Sequence, residues 1–208
     1  MSRGLKLLRA GGADVHDGFL VVGLLVAVMW VVEIVNAVDD QRLDSDGIIS
    51  RHLSGLPGIL SAPFLHVSFA HLIANTIPFL VLGFVIAFGG ALQVIAVTVI
   101  VALISGLGTW LVASSGTDTI GASGVVFGYA TFLMARGIFT RSVLQVVVGV
   151  LVAVVFGGAL ILSLVPHPGI SWQGHLFGAI GGVIAARAVG SGNWKSRAPA
   201  GNEGQTAT

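Results

Sequence analysis

The chain has 208 residues, of which 55% are hydrophobic and only 9% charged, with 30 glycines and a net charge of +1. A soluble domain of this length needs charge over most of its surface, so the composition excludes one and predicts a membrane protein. With no cysteine the chain has no disulfide, thiolate chemistry or cysteine-based zinc site, and no basic run with interleaved aromatics suggests nucleic acid.

Residues 1–17 are polar and basic, carrying Arg3, Lys6 and Arg9, and read as a cytoplasmic segment. The apolar run 19–38 follows them as a signal peptide would, but it is too long for an h-region and lacks a small-residue cleavage site. It reads as a retained anchor and first span. Its Glu33 is expected near the interface or hydrogen-bonded inside the bundle. The outer loop 39–65 holds Asp39, Asp40, Asp44 and Asp46 and the turn formers Ser54-Gly-Leu-Pro-Gly58. At about 27 residues it is long for a passive connector, and it is expected to cover a site or hold a substrate.

The second span, 68–88, opens on His66-Val-Ser-Phe-Ala-His71-Leu-Ile-Ala-Asn75. A spacing of four puts His71 and Asn75 one above the other on a helix face, about 6 Å apart along the axis. Gly89-Gly90 reverses the chain into the third span, 92–113, and the polar loop 114–119 leads into the fourth, 123–138. Arg136 and Arg141 bracket the next reversal, 143–165 is the fifth span, and Pro166-His-Pro-Gly169 turns the chain into the sixth, 174–189. The tail 191–208 is polar and reads as disordered. The expected architecture is an all-α, polytopic membrane protein of six spans occupying residues 18–190.

Counting cations gives the orientation. With the N-terminus inside, Arg3, Lys6, Arg9, Arg136, Arg141, Arg187, Lys195 and Arg197 are cytoplasmic and only Arg42 and Arg51 lie outside, as the positive-inside rule expects. His71, Asn75, Ser123 and His175 then all fall near the outer ends of their spans. Polar residues that share one layer suggest a site.

Ser123 sits between glycines in Gly121-Ala122-Ser123-Gly124, and a serine hydroxyl becomes nucleophilic only when a base takes its proton. His175, in Gly174-His175, is the candidate base. Gly174, Gly178 and Gly182 recur every four residues on the sixth span, and Gly124 and Gly128 do so on the fourth, so the two helices can approach closely there. His71, Asn75 and the Ser123 N–H are candidate donors to a tetrahedral oxyanion. No carboxylate lies in spans two to six, so a Ser-His dyad is expected rather than a triad. Three rivals remain at this level: a zinc site from His66, His71 and His175, which lacks His-Glu-x-x-His; a small polytopic transporter; and a protein that binds client helices without cutting them.

Gly121-Ala122-Ser123-Gly124, His66 with His71 and Asn75, and Gly174-His175 together resemble the rhomboid family of intramembrane serine proteases, over the whole six-helix core. The resemblance implies a rhomboid-like bundle and an intramembrane serine endopeptidase without cofactor or metal, cutting a single-pass or polytopic membrane-protein substrate in the lipid bilayer. Ser123 would be its nucleophile and His175 its base, with His71, Asn75 and Ser123 in the oxyanion hole. His66 matches a further family histidine, expected to be structural, and Gly121, Gly124, Gly174 and Gly178 support the site. Two departures stand out. Many members stack a tyrosine on the catalytic histidine where this chain has Phe127, and the Trp-Arg pair of many bacterial members is missing from the loop 39–65. A multi-pass location in a bacterial plasma membrane follows, with both termini cytoplasmic and the site near the outer face.

Overall fold

Inside a bilayer every backbone amide must find its partner within the protein, so apolar stretches form helices. The computed structural model describes residues 3–167 and 169–190, with side chains for 14–167 and 169–189. The chain forms α1 (Arg3–Val38), α2 (Gly58–Ser61), α3 (Phe69–Ala87), α4 (Ala91–Val112), α5 (Ser123–Thr140), α6 (Val143–Leu162) and α7 (Trp172–Gly190). Four stretches are long and apolar enough to cross a membrane, namely Asp14–Val38, Phe69–Ala87, Ala91–Val112 and Val143–Leu162. The protein is accordingly a largely helical, multi-pass membrane protein.

α5 and α7 have 18 and 19 residues, enough for about 27 Å of helix, but they are less apolar than the other four. Their position explains this. α5 is buried without a break over residues 124–130, packs on α7 and is bordered by α3, α4 and α6. A helix enclosed by protein can present glycine and alanine where a lipid-facing one presents leucine and valine. Leu72, Leu82, Val97, Tyr129 and Phe132 are among the fully buried side chains between them.

Three features bear on the sequence reading. α1 starts at Arg3, so residues 3–17 and the first span form one helix, and it contains no proline to stop it. The tail 191–208 lies outside the described residues. Glu33 is fully buried, and neither of its oxygens has a hydrogen-bond partner of bonding geometry. Asn36, one turn further on, gives its amide to Gln41 and Asp44 instead, at 3.0 and 2.8 Å.

The loop 39–65 is a built structure. It carries 3-10 turns at Arg42–Asp46, Leu53–Gly55 and Ala62–Phe64 besides α2. A two-residue strand, β1 (Ile48–Ile49), pairs antiparallel with β2 (Asp118–Thr119), with Ile48 opposite Thr119 and Ile49 opposite Asp118. This pair is the exception to an all-α fold, and β-branched residues favour it. Ser50 N–H donates to the Thr117 carbonyl at 3.0 Å, and Arg51 Nη2 donates to the Ala113 carbonyl at 2.9 Å. Ile48, Ile59 and Ala62 form a small buried cluster against Trp110. The loop is thereby fastened to the segment that leads directly into Ser123.

Candidate functional site

Three helices begin in one layer, and each start is shaped by a small residue. Ser68 caps α3, its hydroxyl accepting from the His71 N–H at 3.2 Å, the usual geometry of a serine N-cap. Ser171 does the same for α7, accepting from the Gly174 N–H at 3.2 Å. Ser123 is the first residue of α5. Before it, Gly121 has φ +120°, a conformation open essentially to glycine alone, and its N–H donates to the Ala62 carbonyl at 2.8 Å. The loop 39–65 thus holds the turn that presents Ser123.

The glycine stripes bring the serine and the histidine together. A methyl on Gly178 would overlap the Gly124 carbonyl, and one on Gly182 would overlap the Gly128 carbonyl, so the α5 and α7 backbones lie in near contact at two successive turns. Ser105 on α4 locks the crossing by donating to the Gly174 carbonyl at 2.8 Å. His175 Nε2 lies 3.0 Å from Ser123 Oγ. Phe127 lies flat on the imidazole, with ring centroids 4.0 Å apart and planes 7° from parallel. The second ring nitrogen, Nδ1, is 3.0 Å from the Ser163 carbonyl at the end of α6.

His71 and Asn75 flank the same turn. A methyl on Gly121 would lie 2.7 Å from the His71 ring and 3.8 Å from Asn75 Nδ2. Asn75, 5% exposed, uses one amide proton on the His71 carbonyl at 3.2 Å and keeps the other. His66 is fully buried and meets His71 edge-on, with centroids 5.0 Å apart. Burial pushes the His66 imidazole down to about 4, with His71 adding to the shift and the Phe64 carbonyl opposing it. Among the described residues no three histidine, cysteine or acidic side chains are grouped to share a metal ion; His66 meets His71 and His175 meets Ser123.

A cavity of about 830 Å³ opens above this layer, lined by His71, Asp118, Ile120, Ser171 and Trp172 among others. Burial pushes the Asp118 carboxyl above the usual carboxylate range, partly offset by the Thr119 amide and reinforced by Asp44 and Asp46. A second space of about 30 Å³ adjoins Ser123, with Ser105, Thr109 and Ser171 in its wall, enough room for a water molecule.

The serine, both candidate donors and the histidine were named by their polarity and spacing alone. Ser105 was not, although a serine in the small-residue run Ser105-Gly106-Leu107-Gly108 marks a close helix approach. The Ser163 carbonyl was missed as well, and main-chain acceptors leave no mark in a sequence.

Residues 54–192 match the Rhomboid domain. The chain is 42% identical over 182 residues to an uncharacterized protein of Mycobacterium tuberculosis and to one of Mycobacterium bovis, covering 83% of this chain and 75% of each relative. It is 40% identical over 190 residues to an uncharacterized protein of Mycobacterium leprae, covering 87% of this chain and 75% of that one. With the domain matched over most of the chain, and with relatives at this identity, the protein belongs to the Rhomboid domain family.

Proposed function

We propose that the protein is an intramembrane serine endopeptidase, which hydrolyses a peptide bond in or near a transmembrane helix of another membrane protein. The observation that carries this reading is the 3.0 Å approach of His175 Nε2 to Ser123 Oγ, inside the roughly 2.6–3.2 Å over which a base can take a proton.

In the proposed reaction Ser123 Oγ attacks the scissile carbonyl as its proton passes to His175 Nε2. The oxyanion faces His71, Asn75 and the Ser123 N–H, one of the first-turn amides a helix leaves without an intrahelical acceptor. Collapse of the tetrahedral intermediate expels the amine, which takes the proton from His175 and leaves an acyl-serine. His175 then activates water for deacylation by the same path in reverse. The small space beside Ser123 supplies room for that water, and the outer cavity gives it an entrance. His66, Gly121, Gly124, Phe127, Gly174 and Gly178 serve as supports.

All six long helices, α1 and α3 to α7, cross the bilayer in this reading. Residues 18–190 form the membrane domain, the N-terminal segment and the tail lie in the cytoplasm, and the site faces outward in a bacterial plasma membrane. The substrate's own helix shields its peptide bonds, so cleavage favours segments weakened by glycine.

Purified protein in liposomes with a synthetic transmembrane reporter tests the proposal. Two fragments whose new termini map to the outer part of the reporter helix are expected, and none with Ser123→Ala. Equal cleavage by that variant would end the reading.

A further inference from the structure

The site holds a base but no carboxylate to orient it, and the structure puts something else in that place. Resting on the Ser123–His175 reading, we propose that the Ser163 main-chain carbonyl is the orienting group of the dyad, and that the docking of the outer half of α6 sets whether the base is competent.

A carbonyl oxygen only accepts, so the 3.0 Å contact from His175 Nδ1 to Ser163 O requires the proton on Nδ1. The neutral imidazole then has its lone pair on Nε2, which faces Ser123 Oγ. The opposite tautomer would make Nε2 a donor to Oγ, unable to take its proton, and would set a lone pair against a carbonyl. One main-chain contact therefore selects the form that can accept the serine proton, the role a carboxylate plays in a triad.

The electrostatics point the same way. Ser163 follows the last residue of α6, and the final carbonyls of a helix have no intrahelical donors and carry its negative dipole end. An imidazolium formed during the reaction sits against that end. The helix terminus stands in for the missing charge.

The support is one-sided. Phe127 and Ser123, which hold the ring's face and its Nε2, both belong to α5, locked to α7 through glycine. Ser163 arrives on α6, which packs chiefly on α5 and whose buried residues, Gly149 and Val152, lie in its first half. Further along, Val154, Val155, Ile161 and Leu162 are 70–77% exposed, and a methyl on Gly157 or Gly158 would meet nothing within 4 Å. Phe156 and Leu160 are partly buried against the core, and the Ser163 carbonyl ties the end of the helix to His175. A displacement of this end releases the base from its tautomer without disturbing the α5–α7 crossing.

The test exchanges the amide at Leu164 for an ester in the full-length protein, using the α-hydroxy acid analogue of leucine. Every side chain stays, the Ser163 carbonyl becomes a poorer acceptor, and the Leu164 N–H bond to the Ile161 carbonyl is lost. The same exchange at Val165 removes the equivalent bond to the Leu162 carbonyl while Ser163 keeps its amide, and serves as the control. The readouts are the rate of fluorophosphonate labelling at Ser123 and nitrogen NMR of the histidine-labelled protein, which reports the protonated ring nitrogen of His175. The Leu164 ester is expected to label about tenfold more slowly, equivalent to ~1.4 kcal/mol, with mixed tautomers, and the Val165 ester to do neither. An unchanged rate with the Nδ1 proton kept in the Leu164 ester, equal losses in both esters, or an Nε2 proton in the native protein would overturn the proposal. A native protein that is not labelled at all would remove the dyad reading and this proposal with it, a result distinct from the other three.

Discussion

Replacing Gly178 by alanine adds one methyl at one of the two turns where the α5 and α7 backbones lie in near contact. That methyl overlaps the Gly124 carbonyl, a main-chain group that has no rotamer to escape into. Restoring an ordinary contact between carbon and oxygen requires the helices to part by about 1 Å. Ser123 is next to Gly124 and His175 about one turn before Gly178, on opposite helices, so most of that separation enters their 3.0 Å contact and carries it past the ~3.2 Å limit for proton transfer. A misplacement of ~1 Å at a reacting pair costs about 10²-fold in rate, and overpacking of this kind costs about 1–3 kcal/mol of stability. Gly23→Ala is the control, because a methyl there meets nothing within 4 Å. The assay is the rate of labelling at Ser123 by a fluorophosphonate, with the folded fraction followed by circular dichroism. Gly178→Ala is expected to label about 10²-fold more slowly while still folded, and Gly23→Ala at the native rate. A folded Gly178→Ala protein that labels at the native rate would refute the role given to the crossing.

Phe127→Ala removes the stacked ring, worth about 0.5–1.5 kcal/mol, and should slow labelling roughly three- to tenfold, whereas Phe127→Tyr keeps it. Gly121→Ala meets both a φ of +120° and the His71 ring at 2.7 Å, so in the reporter assay cleavage should fall by about 10²–10³-fold, the loss typical of an oxyanion donor. The pH dependence of stability reports on His66. Its folded-state pKa of about 4 lies below the ordinary 6.5, so the unfolded chain binds the proton more readily and stability falls as pH drops from 6.5 toward 4. The shift sets an upper bound of ~3 kcal/mol; thermal unfolding at neutral pH and near pH 4 should show a smaller acid loss in His66→Phe than in the native protein, and an equal loss would place the titration elsewhere.

The helices were legible because a bilayer forces an apolar run to be helical, and the layer of His71, Asn75, Ser123 and His175 was legible because polar residues in such runs stand out. The glycines of α5 and α7 could be read as stripes, but the sequence could not say that they meet each other rather than other helices. The loop 39–65 was opaque for a different reason. Its order depends on two-residue pairings such as Ile48 with Thr119, about 70 residues apart in the chain and too short to leave a periodic signal. The N-terminal extent of α1 leaves no mark in hydropathy, because charge ends the apolar stretch and not the helix. Glu33 is expected near the interface or in a hydrogen bond; it lies one turn before Asn36, which bonds the loop residues Gln41 and Asp44.

The proposal that His175 activates Ser123 is tested by fluorophosphonate treatment of the detergent-solubilised protein, with the modified residue mapped by mass spectrometry beside Ser123→Ala and His175→Ala. A single adduct at Ser123, absent from both variants, is expected. A folded native protein without an adduct, or undiminished labelling of Ser123 in His175→Ala, would contradict it.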